Sequence, residues 1–419
     1  MGLFKKKKKN ELLEVEVSDK NIGMRIAGAI ILFLIGIGFL AYFLISLITV
    51  DEGWTTIEVS SGNGGINDEI IFNYNLGQGE ESATKEWKKL TDIYTEAANH
   101  ADQLFDVNSA YDGVTNLYKI NRSVGKEITV NKVLYKAFEL TEKYSDRSIY
   151  LGPIYAQYNN IFFSESDAEA AVSDPYLNKE AEAYAQNVAM YASDSNHVKL
   201  ELLGNNRIKL VVSDEYKQFI AENGIENVVD FAYLRNAFVV DHIADTLAAS
   251  GYTRGNISSS DGYVRNLDAS KDEYAINIFD RVGKNVFTCA TMCYGGPAAI
   301  VTMRDFPMNT KDSYDYYTYA DDRIAHRFVS AESGKYTNSI SSIVSYSHSK
   351  SCAEIALQLS KVFIDESLDE SKIEAMFDSE IYTVWTVNAK VRYNDAKVKV
   401  DGLFAGEERQ YTSEIVKYQ

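Results

Sequence analysis

Proline is almost absent from this 419-residue chain, four in all, which excludes collagen-like, mucin-like and extended proline-rich architectures. Cysteine is scarcer still. Cys289, Cys293 and Cys352 are too few, and odd in number, for a dense disulfide framework, although one pair plus a free thiol stays open. Cys289 and Cys293 lack the nearby His or Cys pair that a zinc site needs, so they read as small buried side chains. Positive charge is in deficit, 42 basic against 60 acidic residues for a net charge of -18. That balance excludes a general affinity for nucleic-acid phosphates, and a phosphate-bearing ligand would need a local basic site or a metal ion. Long hydrophobic runs are lacking too, with one exception near the N-terminus.

That exception, Ile26 to Val50, is an uncharged stretch of about the 20 apolar residues that a helix needs to span a bilayer core. It is read as a transmembrane helix. The segment 1–25 before it carries the run Lys5 to Lys9 and Arg25, which by the positive-inside rule puts the N-terminus in the cytoplasm and everything after Val50 outside it. Asp51, Glu52 and Trp54 mark the opposite interface. A cleaved signal is the rival, but the run is long for a signal core and no small-residue cleavage site follows. No lipid-attachment cysteine follows either, and "MGLFKK" lacks the Ser or Thr of a myristoylation signal. Beyond the membrane, a composition 46% hydrophobic and 12% aromatic, with 29 tyrosines, predicts a sizeable globular domain rather than a disordered one.

Strand-like alternation in "WTTIEV" and "DEIIFNYNL" predicts two membrane-proximal strands within 51–84, joined by the Gly-rich turn "SSGNGGIND". From Ala83 to Phe105, Trp87, Leu90, Ile93, Tyr94, Ala97, Ala101 and Leu104 fall at helical spacing. Further helices are expected at "NKVLYKAFELTEKYSD" with Asn131 as N-cap, at "DPYLNKEAEAYAQNVAMYA", at "AFVVDHIADTLAASG" ending on Gly251, and at "SCAEIALQLSKVFI". A hairpin pairs "HVKLELLG" with "RIKLVVS" through Asn205 and Asn206, and "EYAINIFD", "VFTCATM", "AAIVTM" and "ISSIVSYS" read as strands. The interspersed elements give an α+β class with no internal repeat.

From Trp87 to Lys397 the order of these pieces resembles the ApbE family of FAD:protein FMN transferases. The main domain is accordingly placed at 85–397, with 398–419 as a C-terminal tail. "LFDVNSAYDGVTNLYKIN" resembles the family's polar loop and helix ending in Leu-Asn, here Ile120 and Asn121. Of the Gly-Ala-Phe-Asp loop that leads to Gly-Pro, Gly152 and Pro153 in "IYLGPI" are the matching residues. "VDFAYLRNAFVVDHIADTL" matches in length the pattern Val-Asp-Leu-Gly-Gly-Ile-Ala-Lys-Gly-Tyr-Ala-Val-Asp. Asp230 and Asp241 keep their places, while Ala232 and Tyr233 stand for two glycines, Asn236 for the lysine and Ala237 for the third glycine. Side chains at glycine positions narrow or reshape a nucleotide pocket. Where the family has a Gly-Gly pair, Ser259, Ser260 and Asp261 stand, and a carboxylate beside a pyrophosphate repels it unless a cation intervenes.

"AHRFVSAESGK" (Ala325 to Lys335) is similar to His-Ile-Ile-Asp-Pro-Arg-Thr-Gly with one extra residue. His326 and Gly334 remain, Ser333 replaces Thr, and Arg327 is offered as a substitute for the missing Arg. "SCAEIALQLSKVF" is similar to Ala-Asp-Ala-Leu-Ala-Thr-Ala-Leu, whose Asp and Thr help to hold magnesium. Glu354 and Gln358 share one helical face and are the implied metal ligands, each a methylene longer than an Mg2+ octahedron built for the shorter residues would accept.

The resemblance implies Asp241 and His326 as the catalytic polar core, Tyr233, Asn236, Ser260, Thr291 and Gly334 as cofactor contacts, and FAD with Mg2+ as cofactors. In the family the metal withdraws charge from the FAD pyrophosphate while a threonine of an exported flavoprotein attacks the FMN phosphorus and AMP leaves. One reading is therefore a membrane-tethered extracytoplasmic transferase. The other is a non-catalytic ApbE-like protein that binds a flavin, another ligand or a membrane-complex partner, because catalysis by positioning degrades when several contacting groups change together. A structural or adhesive surface protein is a third class and predicts no concave aromatic pocket.

Overall fold

A computed structural model describes residues 27–28, 30–37, 39, 49–60, 69–270, 273–309, 312, 314–407 and 409–418. The chain forms two compact units, Met1–Asp51 and Glu52–Gln419. Part of the transmembrane expectation for Ile26 to Val50 lies outside the described residues. Those that are described within it, among 27–39, are helical with exposed apolar side chains. Among the described residues no helix is long and apolar enough to cross a membrane. The expected Gly-rich turn over 61–68 is also outside them.

The second unit is α+β. Its main sheet has nine strands in the order β1 (Gly53–Ile57), β2 (Ile70–Leu76), β6 (Gly255–Ser259), β7 (Tyr263–Asn266), β10 (Ala298–Arg304), β13 (Ser342–Ser347), β14 (Tyr382–Val387), β15 (Lys390–Tyr393) and β17 (Thr412–Ile415). Neighbours pair antiparallel except β15 and β17. A second sheet orders β16 (Lys399–Asp401), β9 (Asn285–Tyr294) and β8 (Tyr274–Val282), and a third orders β3 (Glu127–Thr129), β5 (Arg207–Val212) and β4 (Val198–Gly204). Residues 398–419, read as a tail, thus add a strand to each of two sheets.

The sequence pattern explains most local structure. α1 (Ala83–Phe105) buries Leu90, Tyr94, Ala97, Ala101 and Leu104 of the stripe its spacing predicts, while Trp87 and Ile93 at its margins are only half-buried. α3 (Lys132–Lys143) starts where the Asn131 side chain accepts from the Val133 N–H at 2.8 Å. Asn205 and Asn206 both have positive φ, 52° and 59°, the conformation a two-residue hairpin between β4 and β5 requires. α8 (Arg235–Ala249) packs against α1, β6, β7 and α9 (Cys352–Phe363). α9 in turn covers β10 and β13. On another side of the main sheet Val344, Tyr346, Val384 and Ile300 pack with Ile278, Cys289 and Met292 of the β8–β9 hairpin. The main sheet is thus buried between helices and a small second sheet.

Two short pieces complete the frame of the site: α4 (Gly152–Phe162), which opens with Pro153 in its first turn, and the hairpin of β11 (Tyr316–Thr318) and β12 (Ile324–His326). α6 (Lys179–Ser193) and α10 (Glu370–Asp378) close the flanks.

Candidate functional site

A cavity of about 1170 Å³ opens between the loop after α3, the loop after β12, α9 and α10. Its floor at one end is Tyr144 to Ser148, at another Val329 to Ser333, with Tyr233, Gln358, Lys361 and Lys335 between them. The first loop is held by its own side chains. Asp146 Oδ1 accepts from the Ser148 N–H at 2.8 Å and from its hydroxyl at 2.5 Å, an Asx-type turn. Tyr233 then donates its phenol to Ser148 Oγ at 3.3 Å. Arg147 donates to the carbonyls of Ala192 and Val198, and Lys361 to that of Tyr144, so both cations are held by backbone rather than by carboxylates. Enclosure pushes the Asp146 carboxyl up from its ordinary range, while the Ser148 donors and the charges of Lys361 and Arg147 pull it down. In the second loop Ser330 Oγ accepts from the N–H groups of Glu332 and Ser333. Gly334 takes φ +70°, and a Cβ there would stand 2.4 Å from the Ala185 carbonyl oxygen.

A second cavity, about 410 Å³, lies where α1, α4 and the 314–315 segment meet. Glu69, Asp102, Asp106, Asp230 and Asp315 face it, against Arg235 and Arg327. Arg235 pairs with Glu69 at 2.6 Å and with Asp102, and Arg327 Nη1 bridges Asp261 at 2.9 Å and Asp315 at 3.1 Å. Burial pushes Asp315 up to about 6 despite the pull of Arg327. Among the described residues, Tyr233 is the one that lines both cavities.

The residues implied by the family resemblance divide sharply. Tyr233 and Gln358 line the large cavity, and Gly334 shapes the loop that walls it. Asp241 and His326, implied as the catalytic core, line neither cavity and are engaged in structural contacts. Asp241 accepts from the N–H groups of Cys352 and Ala353 at 3.0 and 2.9 Å and pairs with Arg265 at 2.7 Å. It therefore terminates α9 electrostatically and is fully used. Burial raises its carboxyl, with Arg265 the largest opposing influence. His326 is 1% exposed, with Nε2 3.1 Å from Asn338 Oδ1 and its ring against Phe328 and Tyr336. Desolvation lowers its pKa to about 4, so it is a neutral packed imidazole at neutral pH.

The other residues implied by the resemblance make contacts of their own. Asn236 donates to Asp261 Oδ2 at 3.0 Å, Ser260 contributes its carbonyl to Arg304, and Thr291 sits on β9, donating to Asn277 at 3.3 Å, away from both cavities. Arg327, offered as a phosphate-facing charge, is occupied by Asp261 and Asp315. Glu354 forms the capping box of α9 with Ser351 and reaches Lys143 and Tyr144, both at 3.4 Å. Gln358 donates back to the Glu354 carbonyl at 3.2 Å. Among the described residues no group of three or more His, Cys, Asp or Glu side chains is arranged to hold a metal ion, and Glu354 and Gln358 are engaged by the helix start, Lys143, Tyr144 and the Glu354 carbonyl.

Sequence reasoning passed over Tyr144 to Ser148, Lys335 and Lys361. The signal for the first group was present: an Asp-x-Ser turn stands just ahead of "IYLGPI", where only Gly152 and Pro153 were counted.

No protein-family model matches the chain, and no curated protein matches it. Solved structures do. The ApbE protein of Thermotoga maritima is 9% identical, with 80% of this chain and 94% of that one covered at a TM-score of 0.55. The flavin transferase ApbE of Vibrio cholerae is 13% identical, with 84% and 97% covered at a TM-score of 0.52. The fold of this chain is ApbE-like.

Proposed function

We propose that this protein is a membrane-tethered, extracytoplasmic ApbE-like flavin-binding protein that holds its ligand in the large cavity without transferring FMN. One observation carries the reading: the cavity is walled by segments that resemble the family's ligand-binding blocks, while Asp241, His326 and Glu354 are each consumed by structural contacts. Binding needs a shaped, partly apolar recess with a few polar groups. Transfer needs, in addition, groups aimed at the reacting phosphorus, and those named for that task face elsewhere. Tyr144 and Tyr176 offer aromatic surface, and the hydroxyls of Ser330 and Ser333 with Lys335 offer polar contacts. The apolar run Ile26 to Val50 behind Lys5 to Lys9 supports the tether and its orientation, and a neighbouring membrane-complex subunit or exported flavoprotein is the partner class this location suits.

The test uses the full-length chain in detergent, titrated with FAD and magnesium in the presence of a peptide carrying the threonine acceptor motif. Quenching of flavin fluorescence, unchanged when magnesium is chelated and without AMP release, is the expected result. AMP release with flavin on the peptide would select the transferase. Absence of any flavin binding would leave a structural role.

A further inference from the structure

In a chain of net charge -18 a phosphate-bearing ligand needs a local positive charge, and Arg327 is already spent on Asp261 and Asp315. Arg147 is not spent in that way. Among the described residues it is the one arginine that pairs with no carboxylate, whereas the others each have such a partner. It is half-buried and lines the large cavity.

Its guanidinium is nevertheless fixed. Nε donates to the Ala192 carbonyl at 2.9 Å and Nη2 to the Val198 carbonyl at 2.7 Å, which ties it to the end of α6 and the start of β4. Its central carbon lies 4.3 Å from the centroid of the Tyr150 ring, and the Tyr150 hydroxyl is itself held by the Leu200 N–H at 2.9 Å. A guanidinium carries five N–H donors, and the two carbonyls take only two. Capping the negative end of α6 accounts for those two. It does not account for Nη1, which donates to no described residue. A planar cation held on its other edges, with donors left over at a cavity wall, is preorganised for an anion.

Lys361 adds a second charge. It stands in the last turn of α9, and its ammonium donates to the Tyr144 carbonyl, in the same loop as Arg147, with further N–H donors to spare. Both cations act on the Asp146 carboxyl of that loop, so two positive charges meet one acidic group. Lys335 and Lys372 also line the cavity but are paired with Glu182 and Asp365. Its other two acids, Glu332 and Glu366, belong to the second loop and to the segment after α9. We infer that Arg147 and Lys361 form a phosphate anchor, through which the large cavity selects phosphorylated flavins, FMN or FAD, over riboflavin. The inference deepens the flavin-binding reading above and rests on it.

The experiment is a fluorescence titration of the full-length chain in detergent with riboflavin and with FMN, for wild type, Arg147→Gln and Lys361→Met, at low and high salt. Wild type binds FMN at least about tenfold more tightly than riboflavin, the scale of a charge-assisted hydrogen bond. Each variant weakens FMN about fivefold or more and leaves riboflavin within about twofold, and salt weakens FMN alone. Equal affinities of wild type for the two flavins overturn the inference and leave the flavin-binding reading standing, even if Arg147→Gln, which also loses its carbonyl contacts, does not fold. A folded variant of either residue that keeps the wild-type preference also overturns the paired anchor. Failure of both flavins to bind wild type ends both.

Discussion

His326 gives a pH signature that separates a packed imidazole from a ligand-contacting one. Asn338 donates its amide to Asp305 and to the Ile340 carbonyl, so its oxygen faces His326 and the proton sits on Nε2. Nδ1 is buried with no hydrogen-bond partner. Protonating it would place a charge among Phe328 and Tyr336, which is why the pKa falls from 6.5 to about 4. Because the folded pKa is depressed, the unfolded chain takes up the proton first. The stability tied to this group is therefore complete above about pH 6.5 and is lost as pH falls toward about 4. Linkage with these two values gives a loss of about 2 kcal/mol between about pH 7.5 and about pH 5. His242 shares the depressed pKa, about 4, and Asp315, raised to about 6, acts with the opposite sign. A difference measurement removes both. His326→Gln can still donate to Asn338 but does not titrate, so urea midpoints of wild type and variant, followed across that range, should converge or cross by about 2 kcal/mol as pH falls. Parallel curves would mean that His326 ionises as it does in water, and the buried assignment would be wrong.

Two further substitutions follow from the same contacts. Asp241→Ala leaves Arg265 without its buried partner and orphans two N–H groups at the start of α9. A loss of about 3–5 kcal/mol is expected in denaturant unfolding, and a loss below about 1 kcal/mol would show that Asp241 is not structural. Gly334→Ala meets the Ala185 carbonyl oxygen at 2.4 Å with φ at +70°. It should lower the thermal midpoint by at least the equivalent of about 1–3 kcal/mol, and an unchanged midpoint would show that the loop relaxes freely.

Periodicity made some of this fold legible and left the rest hidden. α1 announced itself because a long helix that buries one face must repeat its apolar residues every turn, and the "NN" hairpin because few other residues hold two successive positive φ angles. α4 did not, because Ile154, Tyr155, Tyr158, Ile161 and Phe162 are all buried together with Gln157, so its polar face is too narrow to set a clear rhythm. β16 and β17 are short strands recruited by β9 and β15, partners that local sequence does not name. At the site, position within a motif said which residues to examine but not what surrounds them. His326 and Tyr233 both stand at motif positions. One is sealed behind Tyr336 while the other walls the cavity, and that difference is created by contacts from distant segments.

The same distant contacts bear on the two flavin readings. Where the ApbE pattern has glycines, a lysine and an arginine, this chain has Tyr233, Asn236, Asp261 and Arg327, and the Asp261 carboxylate holds both Asn236 and Arg327. Asp261 and Arg327 are both buried, and removing either partner of such a pair is costly because the other charge is stranded. A pyrophosphate arriving beside Asp261 would have to take Arg327 from two carboxylates at once, and the exchange leaves those carboxylates unpaired. The Arg327 guanidinium is here already paired with Asp261 and Asp315. A ligand held in the large cavity, against Tyr144 to Ser148 and the Ser330 loop, would leave that network intact, which is the physical basis of the proposed binding role.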